Sequence, residues 1–383
     1  MLVTLYDNFN HGNRLQNYAL QEILKGFGFS VHNLCCPHSK ILALKYKPKK
    51  ERLKIFIKSI LSFFKIKIID IEAFKTSITE YNNLYERTKI FDAFTNKYID
   101  NKIFDEYQNI MSSEKNKDKA RWDKYNFAVV GSDQVWNASI VRTTEFLEYF
   151  FLKFIEPNKR VNYAPSFGYK DVSDDDYATY KEGLSGFKKL SCREISGCEL
   201  MKNQFNLNSE LVLDPTLLLN SEQWRKISRK PNFKIPEKYV LVYSIGRVKG
   251  IYKDALEKFA DGREIIEIHD PSDREHFFTD PSEFIYLIDH ADGVFTDSFH
   301  GTAFSINFQK NFITFGKHRL GWFGDIFGRV DSLLSVVNLS GRAFEACKDF
   351  PAGEINYNDV TQKLNLMRES SLKYLRECLN INA

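Results

Sequence analysis

Short apolar runs alternate with amphipathic stretches along most of this chain, and that rhythm limits its folds more than any other feature. Leu2–Tyr6, Ser30–Leu34, Phe127–Gly131, Val161–Gly168, Lys189–Glu194 and Glu210–Asp214 read as strands. Helical or turn segments separate them, starting with Arg14–Phe27. A second set follows: strand Tyr239–Gly246, helix Ile251–Ala260, strand Arg263–Ile268, helix Pro281–Ala291, strand Val294–Thr296, helix Phe299–Phe308 and strand Asn311–Phe315. A last helix is expected over Val360–Cys378. Strands alternating with helices predict parallel, doubly wound α/β sheets. A chain of 383 residues exceeds one ordinary core. We therefore expect two Rossmann-like domains facing a cleft, residues 1–230 and 236–355, with a terminal helix over 356–383. The Lys-, Arg- and Pro-bearing stretch Asn220–Tyr239 reads as the linker.

Residues 40–120 break the rhythm and read as a helical, basic insertion ending in the polar stretch Ser112–Lys119. Lys45–Lys67 carries nine basic residues and one acid, while the whole chain is only +4, so the remainder is net acidic. A general nucleic-acid surface is therefore not expected. Leu53, Phe56, Ile57, Ile60, Leu61, Phe64 and Ile68 fall at helical spacing. That pattern fits an amphipathic helix on an anionic bilayer, and equally a solvated helix packed by its stripe. The six Cys show no metal-like spacing and read as reduced cytosolic thiols. The N-terminus lacks signal-peptide character, and no run approaches a membrane span. A cytoplasmic protein with peripheral contact at the inner membrane face is the expectation.

In sheets of this kind ligands lie at the carboxyl ends of strands. The most informative such place is Phe295–Ser305, FTDSFHGTAFS. Ser298 should cap a helix that carries His300 and Gly301 in its first turn. Unpaired N–H groups and the helix dipole there suit an anion. An imidazole beside such a site suggests acid–base chemistry, although a half-buried capping histidine would look the same. After the first strand come Asn10, His11, Gly12 and Asn13, suited to a sugar or phosphate. Gly131–Asn137, GSDQVWN, adds the Asp133 carboxylate and the flat face of Trp136; the plainer readings are a turn cap and core packing. Arg193 at a strand end can grip a phosphate or carboxylate, or simply form a surface ion pair. Arg247, Lys249 and Arg319 follow later strands and suit an oxyanion. No metal site, Walker sequence or GxSxG is present, and no cofactor is expected.

Six segments in this order carry a family resemblance: Asn8–Phe29, Gly131–Asn137, Val161–Gly168, Cys192–Gly197, Leu211–Leu219 and Thr296–Ser305. Together they resemble the polysaccharide pyruvyl transferases over most of the chain outside 40–120. The resemblance implies a GT-B-like pair of domains. It also implies transfer of pyruvate from phosphoenolpyruvate to two hydroxyls of a glycan sugar, often lipid-linked, as a cyclic ketal. His300 matches the family histidine and Arg193 an arginine implicated in donor binding. Many members carry Arg two residues before the histidine, where this chain has Ser298. Either Arg247, Lys249 or Arg319 supplies that charge, or the donor differs. The resulting assignment makes His300 and Asp133 catalytic. Arg193, Ser298, Gly301, Arg247, Lys249 and Arg319 bind the donor, and Asn10, His11, Asn13 and Trp136 the acceptor. Two other readings are a glycosyltransferase using a nucleotide sugar and a binding protein without turnover.

Overall fold

A computed structural model describes residues 1–6, 9–35, 71–104, 110, 120–138, 144–245, 248–268, 270, 273–316, 326–347, 350 and 353–381. The basic stretch 45–68, the polar stretch Ser112–Lys119, Arg247 and Arg319 lie outside them.

Eleven described strands form three sheets, all parallel. The first holds β1 (Leu2–Val3), β2 (Asn33–Cys35), β3 (Lys102–Phe104), β4 (Ala128–Val130) and β5 (Arg160–Asn162), in the order β3-β2-β1-β4-β5. A small sheet pairs β6 (Ser191–Cys192) with β7 (Glu210–Leu211). The last holds β8 (Tyr239–Tyr243), β9 (Glu264–Glu267), β10 (Gly293–Thr296) and β11 (Asn311–Thr314), in the order β11-β10-β8-β9. Mixed α/β architecture with parallel sheets is thus what the alternating pattern encodes.

Side chains alternate across each strand, so both faces of the sheets are covered. Tyr239, Leu241 and Tyr243 enter one core, whereas Val240 and Val242 enter another with Phe259, Phe295 and Ile313. The first of these cores is continuous between the two large sheets, joining Leu2, Leu15 and Val129 to Leu241, Val294 and Phe312. The expected linker is part of that core. Ser221–Arg225 is a short helix with an Asn220–Gln223 capping box, and Trp224 is fully buried against Tyr18 and Phe304. Burial of one indole overrides the polar composition around it.

Several strands end earlier than the sequence suggests. The run Val161–Gly168 is strand only through Asn162, because Ala164 takes φ +52 and Pro165 follows. The helix after β1 starts three residues before the expected position and spans His11–Gly26, capped by Asn10. Gly12 and Asn13 therefore sit in its first turn. Both large sheets reverse strand order, between β1 and β4 and between β8 and β10. The segments leaving β1, β4 and β10 at those switch points are the ones that meet in the site below.

Candidate active site

The turn after β4 is built for a close backbone approach. Gly131 has φ +120, and a Cβ there would collide with the Tyr163 carbonyl. Asp133 follows with φ +67, held by its own carbonyl, which accepts from Val135 and Ser166 N–H. Its carboxylate is thereby directed at the start of helix His11–Gly26. Oδ2 accepts from Asn13 Nδ2 at 3.3 Å and Oδ1 from Arg193 Nη2 at 2.9 Å. Asn13 is oriented from behind, because Arg14 donates to its Oδ1 through Nε and Nη2. One turn on, Gln16 accepts from both the N–H and the hydroxyl of Ser132.

Arg193 leaves β6 with a fully buried side chain and bridges two carboxylates. Nη1 donates to Asp214 Oδ2 at 2.7 Å while Nη2 holds Asp133. Its guanidinium also lies 4.5 Å from the Phe299 ring centroid. Asp214 N-caps the short helix Pro215–Leu218 and accepts from Thr216 N–H and hydroxyl, and from Ser132 Oγ. Burial alone would raise the Asp133 and Asp214 carboxyls, but Arg193, His300 and the donated hydrogen bonds together outweigh it and lower both below the ordinary value. The same two carboxylates hold Arg193 firmly protonated against its own burial.

His300 completes the group from the second large sheet. β10 ends at Thr296; Ser298 caps helix Phe299–Asn307, accepting from Gly301 N–H at 3.4 Å. Gly301 has no room for a Cβ, which would overlap Thr296 Oγ1. The His300 ring lies so close to Gly12 that a Cβ on Gly12 would overlap Nδ1. Nε2 points the other way, 3.9 Å from Asp214 Oδ1, with no hydrogen-bond partner. Burial, reinforced by Arg193 and Arg329 and opposed by Asp214 and Asp133, lowers the imidazole pKa below its ordinary value. His300 is therefore neutral near neutral pH. Only 9% of its side chain and 13% of that of Asp133 reach solvent, which makes these two the open side of the network.

The family model for polysaccharide pyruvyl transferase matches residues 10–319, from the cap of the first helix to beyond β11. The chain belongs to the polysaccharide pyruvyl transferase family. No curated protein matches it significantly. The matched range contains every residue of the network except Arg329.

In this pyruvyl transferase family member, sequence-selected residues Asn13, Asp133, Arg193, Ser298, Gly301 and His300 converge. Asn10 lies beside them as a helix cap, its amide oxygen committed to Asn13 N–H. Two acceptor assignments are corrected. Trp136 is fully buried among Phe151, Phe167 and Phe187, with Nε1 donating to the Phe150 carbonyl, so no sugar ring reaches it. His11 is equally buried; Nε2 donates to the Thr279 carbonyl at 3.0 Å, Nδ1 accepts from Arg87, and Phe91, Tyr243 and Phe284 surround the ring. It ties the two large sheets together. Arg193 is buried with Nη1 on Asp214 and Nη2 on Asp133, while Nε has no hydrogen-bond partner, so its placement differs from that of an exposed donor clamp. Lys249 is exposed before helix Ile251–Ala260. Sequence reasoning missed Asp214 and Arg329. Asp214-Pro215 at a strand end was a usable signal, since an aspartate before proline is a helix start. A cavity of about 390 Å³ lined by His32, Lys124, Tyr125 and Phe127 touches none of the site residues.

Proposed function

We propose that the protein transfers the pyruvyl group of phosphoenolpyruvate to two hydroxyls of a glycan sugar, forming a cyclic ketal and releasing phosphate. The observation that carries this reading is the buried, neutral His300 with an unpartnered Nε2 beside Asp133, Asp214 and Arg193. Ketal formation needs a proton delivered to the methylene carbon of the enol phosphate. One sugar hydroxyl then attacks the cationic carbon, phosphate leaves, and the second hydroxyl closes the ring. In our reading His300 is the acid and base for these transfers, and a trianionic donor raises its proton affinity on binding. Asp133, the other partly open group, orients the acceptor hydroxyls or takes a proton from one.

Around His300, Arg193 and Arg329 face Asp133 and Asp214, so the described charges nearly cancel. Donor phosphate charge is accordingly assigned to Arg247, Lys249 and Arg319. A lipid-linked acceptor and contact of 45–68 with an anionic bilayer extend the same reading. Thermal-shift titration with phosphoenolpyruvate against nucleotide sugars tests it, alongside transfer assays on His300→Ala. Stabilisation by phosphoenolpyruvate and loss of transfer in the variant are expected. Stabilisation by a nucleotide sugar alone, or full transfer by His300→Ala, would overturn it.

A further inference from the structure

His300 Nε2 is buried without a partner although Asp214 Oδ1 lies only 3.9 Å away. The reason is visible in the bonds that Asp214 already makes. An ionised carboxylate has about four lone-pair sites. On Oδ1, Thr216 supplies its N–H at 3.0 Å and its hydroxyl at 2.8 Å. On Oδ2, Arg193 Nη1 donates at 2.7 Å, and Ser132 Oγ, 3.1 Å away, shares its one proton with Gln16 Oε1. The two Thr216 donors fill both lone pairs of Oδ1, the oxygen that faces His300, and none remains there for the imidazole. The other ring nitrogen is shut in against Gly12.

We propose that Asp214 is a positioning residue, a carboxylate whose facing oxygen is saturated, so that it sets negative charge beside His300 while leaving Nε2 to the substrate. A carboxylate with a vacant lone pair on that oxygen would capture Nε2 and hold it away from the reacting carbon. One with no charge would leave the imidazolium unsupported. The charged groups facing His300 are Asp133 from the end of β4, Arg193 from the end of β6, Asp214, and Arg329 from helix Ile326–Val336. Among these, Asp214 both approaches Nε2 and has the approaching oxygen filled. Its effect on kcat rests on the pyruvyl-transfer reading; the charge arrangement itself belongs to the free protein.

The test is a titration of His300 by nuclear magnetic resonance in histidine-labelled protein, its signal assigned with His300→Gln. Asp214→Asn removes the charge and is expected to lower the His300 midpoint by about one pH unit. Thr216→Val keeps the charge but empties one site on Oδ1, and is expected to raise the midpoint by a similar amount. The alkaline limb of kcat should move in the same two directions, with donor KM changing less than twofold. Unmoved midpoints in the folded variants would overturn the proposal. If Asp214→Asn does not fold, the conservative Thr216→Val decides alone. Midpoints that move as expected in a protein without pyruvyl transfer would uphold the charge arrangement and reject the reaction.

Discussion

At the scale of single residues, the site depends on a contact that leaves no slack. Gly12 lets helix His11–Gly26 meet the His300 ring, and any side chain there must displace the imidazole. Gly12→Ala should cut kcat at least tenfold, with a change in Tm of only a few degrees, by transfer assay and calorimetry. Ionisation gives a second prediction. His300 has a folded pKa below its ordinary 6.5, so the unfolded chain binds the extra proton first as pH falls. Stability is lost from about pH 6.5 downward, toward the lowered folded value. Asp133 and Asp214, held below their ordinary 3.8, contribute stability present above that pH and lost as it falls through their folded values. His300→Gln should flatten the upper part of the acid decline in a pH series of thermal melts and leave the lower part. An unchanged upper part would contradict the buried neutral imidazole.

At the scale of elements, the site is assembled from helix starts. Asn10, Asp214 and Ser298 cap three helices, and each cap fixes the side chains one turn further on. Asn10 accepts from the N–H of Asn13, whose amide in turn holds Asp133. Asn10→Ala should cost about 1 kcal/mol in chemical denaturation and weaken turnover beyond that loss, whereas Asn10→Asp, an equally good cap, should restore the stability. If both variants matched the wild type, the cap would have no part in placing Asn13.

At the scale of the whole molecule, the last helix stitches both large sheets together beyond the matched range. Tyr357–Cys378 buries Val360, Leu364, Tyr374 and Leu375, and Tyr374 donates to the Asn162 carbonyl at the end of β5. Ser371 Oγ accepts from the N–H of Leu213, immediately before Asp214. Ser371→Ala would leave that buried N–H unsatisfied at a cost of about 1–3 kcal/mol, read as a lower denaturation midpoint. Arg368 reaches the Leu217 carbonyl and Asn307 Oδ1, joining the same helix to the Asp214 and His300 segments. Among the described residues, no helix is long and apolar enough to cross a membrane.

The sequence alone determined what depends on local pattern. Short apolar runs between helical stretches gave parallel α/β sheets, and Ser298 before Phe299–Phe308 gave a capped helix carrying His300. The order of six motifs gave the family. The tertiary structure decided what depends on burial and on long-range neighbours. Trp136 and His11 looked like ligand contacts because an aromatic ring beside polar residues reads alike in either role, and packing alone separates them. Asp214 was quoted within a motif but had no visible task, since its partners Arg193, Ser132 and His300 come from distant segments of the chain. A free arginine and one locked between two carboxylates are the same letter in the sequence. Their chemistry diverges only when folding removes water and fixes which charge stands beside which.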